Sequence, residues 1–448
     1  MSGGIYADKT RAAGDEDGLF ISRLLGSSHG EYSGQYNAKN TSRNHACPER
    51  CCIIPAHMKV AVNLFLASPK SITGAFVYIQ DILPALFTSD TGTTYYLLGH
   101  ADTIAYFKSQ YQKYPNVKYR VFDVRRDVYV NPFRALMKLI AKLKKGTDLR
   151  ERIIAKEVRK FFTKERIAVY FSPSSVIYPR NVQGVKNVTT ILDLQPEYFP
   201  DNFSEKYLAE RRRDALYATE HSDRLIAISE YTKKTIEEKY GTDPKNIRVI
   251  YFAPHEIEDT PADITLPKDF IFYPAALWPH KNHHILIKAL GMLKNRLPSL
   301  HAVCAGVIKR KELKKELETM IEKEGLQGRV SFSGFVYGGN LRLIYAKATA
   351  LVFPSAFEGF GIPLVEAFQF GLPVIAADNS SITEVVNDSG IVVETGNAAA
   401  LANAIEKVIT DKNLRAELIR KGHVRAKMFS WEAAAKETLD VFYSVNSR

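Results

Sequence analysis

One feature constrains this chain more than any other. Short apolar runs alternate with longer amphipathic segments, twice over, with a polar, proline-bearing stretch between the two series. The first series of strand-like runs spans 59–67, 94–98, 118–124, 168–172, 188–194, 224–228 and 248–252. The second spans 270–274, 300–305, 329–332, 350–354, 374–376 and 391–393. Runs without internal polar alternation are buried on both faces, and strands separated by helices pair in parallel. The pattern therefore predicts two doubly wound α/β domains in tandem. Ligands of such sheets bind beyond the carboxyl ends of the strands, so the expected site is the cleft between the domains.

The expected boundaries follow. Residues 1–57 are rich in Gly, Ser, Asn and charge and lack periodicity, which predicts a disordered leader. An N-terminal domain is expected over 58–255 and a linker over 256–268, the end of a stretch rich in Pro, Asp, Glu and Thr. The second domain is expected over 269–430, and the last helix, 431–448, is expected to pack back on the first domain. A chain of 448 residues is long enough for two such cores.

No run approaches the roughly 18 apolar residues of a membrane-spanning helix, and no secretory signal is visible. Cys47, Cys51 and Cys52 cluster near the N-terminus with only His45 and His57 nearby, which is not a spaced zinc set. No metal is expected, and a reducing, cytoplasmic location fits the sparse cysteines. The net charge of +12 points to anionic partners without choosing among them. No recognition motif or basic–aromatic interleaving speaks for nucleic acid. Segment 133–166 is strongly basic, and Phe133, Leu136, Met137, Leu139, Ile140 and Leu143 form an apolar stripe on it. Two readings stand: a helix on the anionic inner face of a membrane, or a core-facing helix with a solvated basic side.

Two strings carry the chemistry. The run at 349–355 is followed by Glu358-Gly359-Phe360-Gly361-Ile362-Pro363-Leu364-Val365-Glu366, and Gly371 closes the helical stretch. This reads as strand, glycine loop, helix, with Pro363 at the first helical position. The two glycines allow a ligand to approach the backbone. Unpaired N–H groups at the helix start suit phosphate or sugar oxygens. Glu358 and Glu366 present carboxylates that accept from vicinal hydroxyls, Glu366 one turn inside the helix. The second string, Phe272 to His283, ends a strand in a loop carrying His280 and Lys281. A cation there can stabilise a departing diphosphate.

The Glu358–Glu366 string resembles the Glu-x7-Glu element of family-4 (group 1) retaining glycosyltransferases. The resemblance implies the GT-B fold, with two Rossmann-like domains facing across a cleft. It implies that Glu358, Gly359, Phe360, Gly361 and Ile362 handle the donor sugar and Glu366 the nucleotide ribose. The loop with Lys281 resembles the family's diphosphate loop. Its usual Arg is Ala276 here, which leaves His280 as the expected second donor. Ser71 to Phe76 resembles the family's glycine turn, with Gly74 alone remaining; a plain helix-start turn reads equally well. Before Asp193 the family commonly has His, and this chain has Leu192. Asp193 is expected either to orient the acceptor and take its proton or to cap the next helix. Ser229 resembles a segment near the cleft and is also a natural helix cap.

The implied activity is transfer of a hexose, with retention, from a nucleoside-diphosphate sugar to a hydroxyl of a glycan or lipid-linked acceptor. A GDP-sugar is preferred over a UDP-sugar, with no other cofactor. Two alternatives share the features: a nucleotide-sugar epimerase of GT-B fold, and a non-catalytic nucleotide-sugar-binding subunit.

Overall fold

The computed structural model describes residues 58–69, 74–122, 146–308 and 310–447. The expected leader, the cysteine cluster and the apolar stripe at 133–143 lie outside them.

The chain builds two parallel sheets. The first contains β1 (Lys59–Asn63), β2 (Thr94–Gly99), β3 (Val117–Val121), β4 (Val169–Ser172), β5 (Lys186–Ile191), β6 (Arg224–Ala227) and β7 (Ile247–Val249), in the order β3-β2-β1-β4-β5-β6-β7. The second contains β8 (Phe270–Pro274), β9 (His301–Ala305), β10 (Val330–Gly334), β11 (Ala350–Phe353), β12 (Val374–Ala377) and β13 (Ile391–Val393), in the order β10-β9-β8-β11-β12-β13. Every pairing within both sheets is parallel. The expected strands all appear, shorter at several ends. β5 stops at Ile191, so Leu192 and Asp193 lie in the loop beyond it.

Burial explains the arrangement. Val60, Ala61 and Val62 of β1, Ala350 to Val352 of β11 and Val374 to Ala376 of β12 are closed to solvent, because helices cover both sheet faces. In the first domain these include α1 (Gly74–Ser89), α2 (Ala101–Tyr111), α3 (Gly146–Glu165), a short α4 (Gln195–Tyr198), α5 (Glu205–His221) and α6 (Glu230–Tyr240). In the second they are α7 (His283–Leu293), α8 (Lys311–Lys323), α9 (Gly338–Lys347), α10 (Ile362–Gln369), α11 (Ile382–Val386), α12 (Ala398–Thr410) and α13 (Lys412–Ala426). α3 turns Ile154, Ala155, Val158 and Phe162 into the first domain's core and leaves Lys156, Arg159, Lys160 and Lys164 outward. This part of the basic segment is thus a core-facing helix with a charged outer side. No helix among the described residues is long and apolar enough to cross a membrane.

Residues 250–267 run between the domains without helix or strand. Thr260 lies on the first turn of α9, where its hydroxyl accepts from Gly339 N–H at 2.8 Å. The last helix, α14 (Trp431–Asn446), returns to the first domain and packs along α1. Phe442, fully buried, meets Phe171 of β4 at 5.1 Å between ring centroids. Trp431 donates from Nε1 to Pro254 O at 3.0 Å, pinning the start of α14 to the linker.

Phe442→Ala removes a fully buried ring from this clasp and should cost roughly 3–5 kcal/mol. Thermal unfolding of the full chain measures it; an unchanged midpoint would show that α14 is not part of the first domain's core.

Candidate active site

The strand order places the site. In the second sheet the chain winds outward in both directions from β8 and β11, which lie side by side. The loops leaving these two strands therefore diverge around the crevice expected of such a switch point. One carries Lys281, the other Glu358, 77 residues apart in the chain. Lys281 Nζ donates to Glu358 Oε1 at 2.5 Å. Both side chains are mostly buried, 17% and 15% exposed. The two charges hold each other in position, because neither is well enough solvated to stand alone.

Both loops are braced by backbone partners. A 3-10 turn, Pro279–Lys281, precedes α7. Asn282, in the left-handed region with φ 54°, reaches over to donate to Pro354 O at 3.0 Å. Ala356 N–H donates to His280 O at 2.7 Å. On the other side, Glu358 N–H donates to Ser380 Oγ at 2.9 Å and Ser381 Oγ donates to Glu358 O at 3.0 Å. Gly361, with φ 98°, turns the chain into α10 and offers no side-chain cap. Pro363 has no N–H and Leu364 N–H donates to Gly361 O at 3.0 Å, so at the start of α10 it is the backbone of Ile362 that can meet a ligand. Ile362 opens that helix and Pro363 is its second residue, one position later than the sequence pattern gave. Phe360 does not present its ring: it is buried, stacked on Phe252 at 4.5 Å, so only its backbone can meet a donor.

Glu366 lies on α10 and accepts from the Tyr345 hydroxyl. Burial pushes its carboxyl up to about 7, against the Tyr345 bond and the positive influence of His255. His255 belongs to the linker, and its Nδ1 is 2.7 Å from Asp81 Oδ1 of α1. That bond raises the imidazole's pKa. The pair lines a cavity of about 770 Å³ between α1, the linker, the end of α10 and Trp431.

The first domain closes directly on the Glu358 loop. A Cβ added at Gly359 would meet Leu192 O at 2.4 Å and Asp193 Cβ at 3.0 Å. The Ser229 hydroxyl donates to Gly359 O at 2.8 Å while capping α6 through Thr232 N–H. Glu384, from α11, accepts the next two free N–H groups of α6, Glu230 at 3.0 Å and Tyr231 at 3.1 Å. Phe357 is buried against Tyr198, Phe199 and Tyr231. Asp193 Oδ1 accepts from Gln195 N–H at 3.2 Å, a helix-start bond, and the residue remains partly exposed.

His280 is not a cation here. Burial, then the charges of Lys281 and Arg310, depress it to about 3. The Gln195 amide nitrogen lies 2.9 Å from its Nε2, which requires a bare ring nitrogen. His280 thus seals the domain seam rather than supplying positive charge. Gly74 is the first residue of α1 and stands in open space, and 71–73 lie outside the described residues. Among the described residues no group of acidic, His and Cys side chains could hold a metal ion. Sequence reasoning missed Gln195, Glu384 and Arg310 because each acts across the seam, and nothing local in the sequence marks such contacts.

Residues 256–425 match the family model described as glycosyl transferases group 1. The chain is 31% identical over 182 residues to the O-antigen chain mannosyltransferase RfbU of Salmonella typhimurium, covering 40% of this chain and 48% of that one. It is 26% identical over 270 residues to the serotype-specific mannosyltransferase WbdA of Escherichia coli, covering 57% and 33%. The chain thus spans about half and a third of the length of these relatives. Its fold is shared by HepE of Anabaena in complex with UDP and glucose, with TM-score 0.63 and 22% identity over 87% of this chain and 100% of that one. WaaG, a glycosyltransferase involved in lipopolysaccharide biosynthesis, superimposes with TM-score 0.58 and 14% identity over 86% and 99%. The fold is GT-B, and residues 256–425 match the group 1 glycosyltransferase model.

Two outcomes test this geometry. Gly359→Ala adds a methyl group where the first domain's backbone sits, so the domains should fail to close. Small-angle scattering should show a larger radius of gyration with little change in melting. Glu366 binds its proton more tightly folded than unfolded, so it costs stability progressively as pH rises from about 4.5 to 7. Glu366→Gln should therefore melt about 2–4 °C higher than wild type at pH 8, and equally at pH 4.5.

Proposed function

We propose that the chain is a retaining hexosyltransferase, moving a sugar from a nucleoside diphosphate to a hydroxyl of a glycan or lipid-linked acceptor in cell-surface polysaccharide assembly. The observation that carries this reading is the meeting of Lys281 and Glu358 at the switch point, beside the uncapped start of α10. A nucleoside-diphosphate sugar has the complementary parts. Its diphosphate suits Lys281 and the backbone at Ile362, its sugar hydroxyls suit Glu358, and its ribose suits Glu366. As the glycosidic bond breaks, negative charge grows on the diphosphate, and a preplaced ammonium stabilises that charge. Asp193, partly exposed across from Gly359, is assigned to orienting the acceptor. Retention follows from departure and attack on one face, the leaving diphosphate helping to take the acceptor proton. Mannose is the first choice of sugar, supported by the named mannosyltransferase relatives, and a GDP-sugar the first choice of donor. The UDP complexes of the Anabaena neighbour favour the UDP-sugar as second choice. Association with an anionic membrane would use the outward basic side of α3.

A panel of GDP-, UDP- and ADP-sugars, scored for nucleoside diphosphate release with and without a mannosyl acceptor, tests the reading. Release should need acceptor for full rate. Lys281→Ala and Glu358→Gln should each lower it about 10²–10³-fold. An altered nucleotide sugar without acceptor would identify an epimerase. A melting shift with GDP or UDP but no donor consumption would identify a binding subunit.

A further inference from the structure

A group of rings stands at the outer end of the domain seam, and the donor reading does not use it. Trp278 begins the turn that carries His280 and Lys281. It faces Phe203 of the first domain, with ring centroids 6.2 Å apart. Phe203 stacks on Tyr207 of α5 at 5.3 Å and 20°. Arg310, from the loop after β9, lays its guanidinium over the Trp278 ring at 5.0 Å and donates from Nη2 to Asn202 O at 2.9 Å. That loop is locked beside the Lys281 loop, since a Cβ at Gly306 would meet Ala275 O at 2.2 Å. Tyr207 is 45% exposed, and Phe203, Trp278 and Arg310 are half-buried.

Tyr207 lies on the solvent side of α5, and its exposed ring forgoes the stabilisation that burial gives. The arrangement matches a hexopyranose. Sugar rings carry a face of C–H bonds with slight positive charge, which complements the negative face of an aromatic ring. Their edges carry hydroxyls, and a guanidinium has five donors in a fixed plane, one of which is taken by Asn202 O. The position matters equally. His280 connects the platform to the reacting loops: it meets Gln195 and Asn202 of the first domain, Phe199 stands against it, and Lys281 follows it. The rings come from both domains, so the platform is complete only when the seam is closed.

We propose that Phe203, Tyr207, Trp278 and Arg310 form a saccharide subsite that holds a hexopyranose unit of the acceptor; calling that saccharide the acceptor rests on the glycosyltransferase reading above. The test uses the full chain carrying Trp431→Phe, which leaves Trp278 as its single tryptophan. Its emission is followed while methyl α-mannopyranoside, mannotriose or maltotriose is added. A saturable change is expected with at least one of them, strongest for a trisaccharide. Tyr207→Ala in the same background should weaken it about fivefold or more. Emission that stays flat with all three sugars overturns the proposal. So does a response to guanosine or uridine that the sugars do not share, which would make the platform a nucleobase site. Donor consumption is scored separately. Sugar binding without donor turnover removes the transferase reading and leaves the subsite, whereas turnover with flat emission removes the subsite alone.

Discussion

The close approach of Gly359 to the backbone of Leu192 and Asp193 sets the geometry on which the candidate site depends. With no room for a Cβ, the Glu358 loop can lie directly against the backbone beyond the end of β5. The Ser229 hydroxyl then reaches Gly359 O, and Glu384 reaches the first turn of α6. The Ser229 bond satisfies a carbonyl that closure would otherwise strand away from water. His280 belongs to the same scheme. A protonated imidazole would be repelled by Lys281 and Arg310, and it could not accept from the Gln195 amide. Its neutral form allows closure without adding charge beside Lys281.

Topology supplies what the chain's own order does not. Lys281 and Glu358 are far apart in sequence, but β8 and β11 are adjacent strands, and helices leave them in opposite directions. The ion pair is therefore formed before any ligand arrives. Under the proposed donor reading, a diphosphate would exchange one anionic partner of Lys281 for another, so the ammonium would not be left bare. Glu366 behaves differently. Its direct partner is the Tyr345 hydroxyl, and burial outweighs both that bond and the attraction of His255, so its pKa is raised. The two carboxylates of one motif thus differ in their direct partners, Lys281 for Glu358 and the Tyr345 hydroxyl for Glu366.

Much of this was legible in the sequence. Uninterrupted apolar runs such as Val60–Val62 and Ala350–Val352 can only be buried parallel strands, and the glycine–proline string after β11 marks a loop entering a helix. Misplacements were local. Pro363 is second in α10 rather than first, because Gly361 takes the capping role and Ile362 already has helical geometry. Phe360 has the conformation of the loop but gives its ring to a cluster with Phe252 and Phe429, residues whose proximity depends on how the linker and α13 return. The neutrality of His280 was not legible either: it follows from burial against a domain whose distance from the loop no local pattern records.

The substitution of Ala276 at the usual arginine position has a structural counterpart. Gly306 presses against Ala275 and Ala276 so closely that a Cβ at Gly306 has no space, and the loop after β9 is thereby drawn over Trp278. Arg310, from the loop after β9, adds positive charge near the Lys281 loop, and it is aimed at the seam through its bond to Asn202 O. An arginine at 276 would place a second cation within this tightly packed junction. Moving the guanidinium to position 310 keeps the charge count around His280 while shifting it toward the first domain. The guanidinium of Arg310 thus presents its charge toward the first domain along the outer edge of the seam.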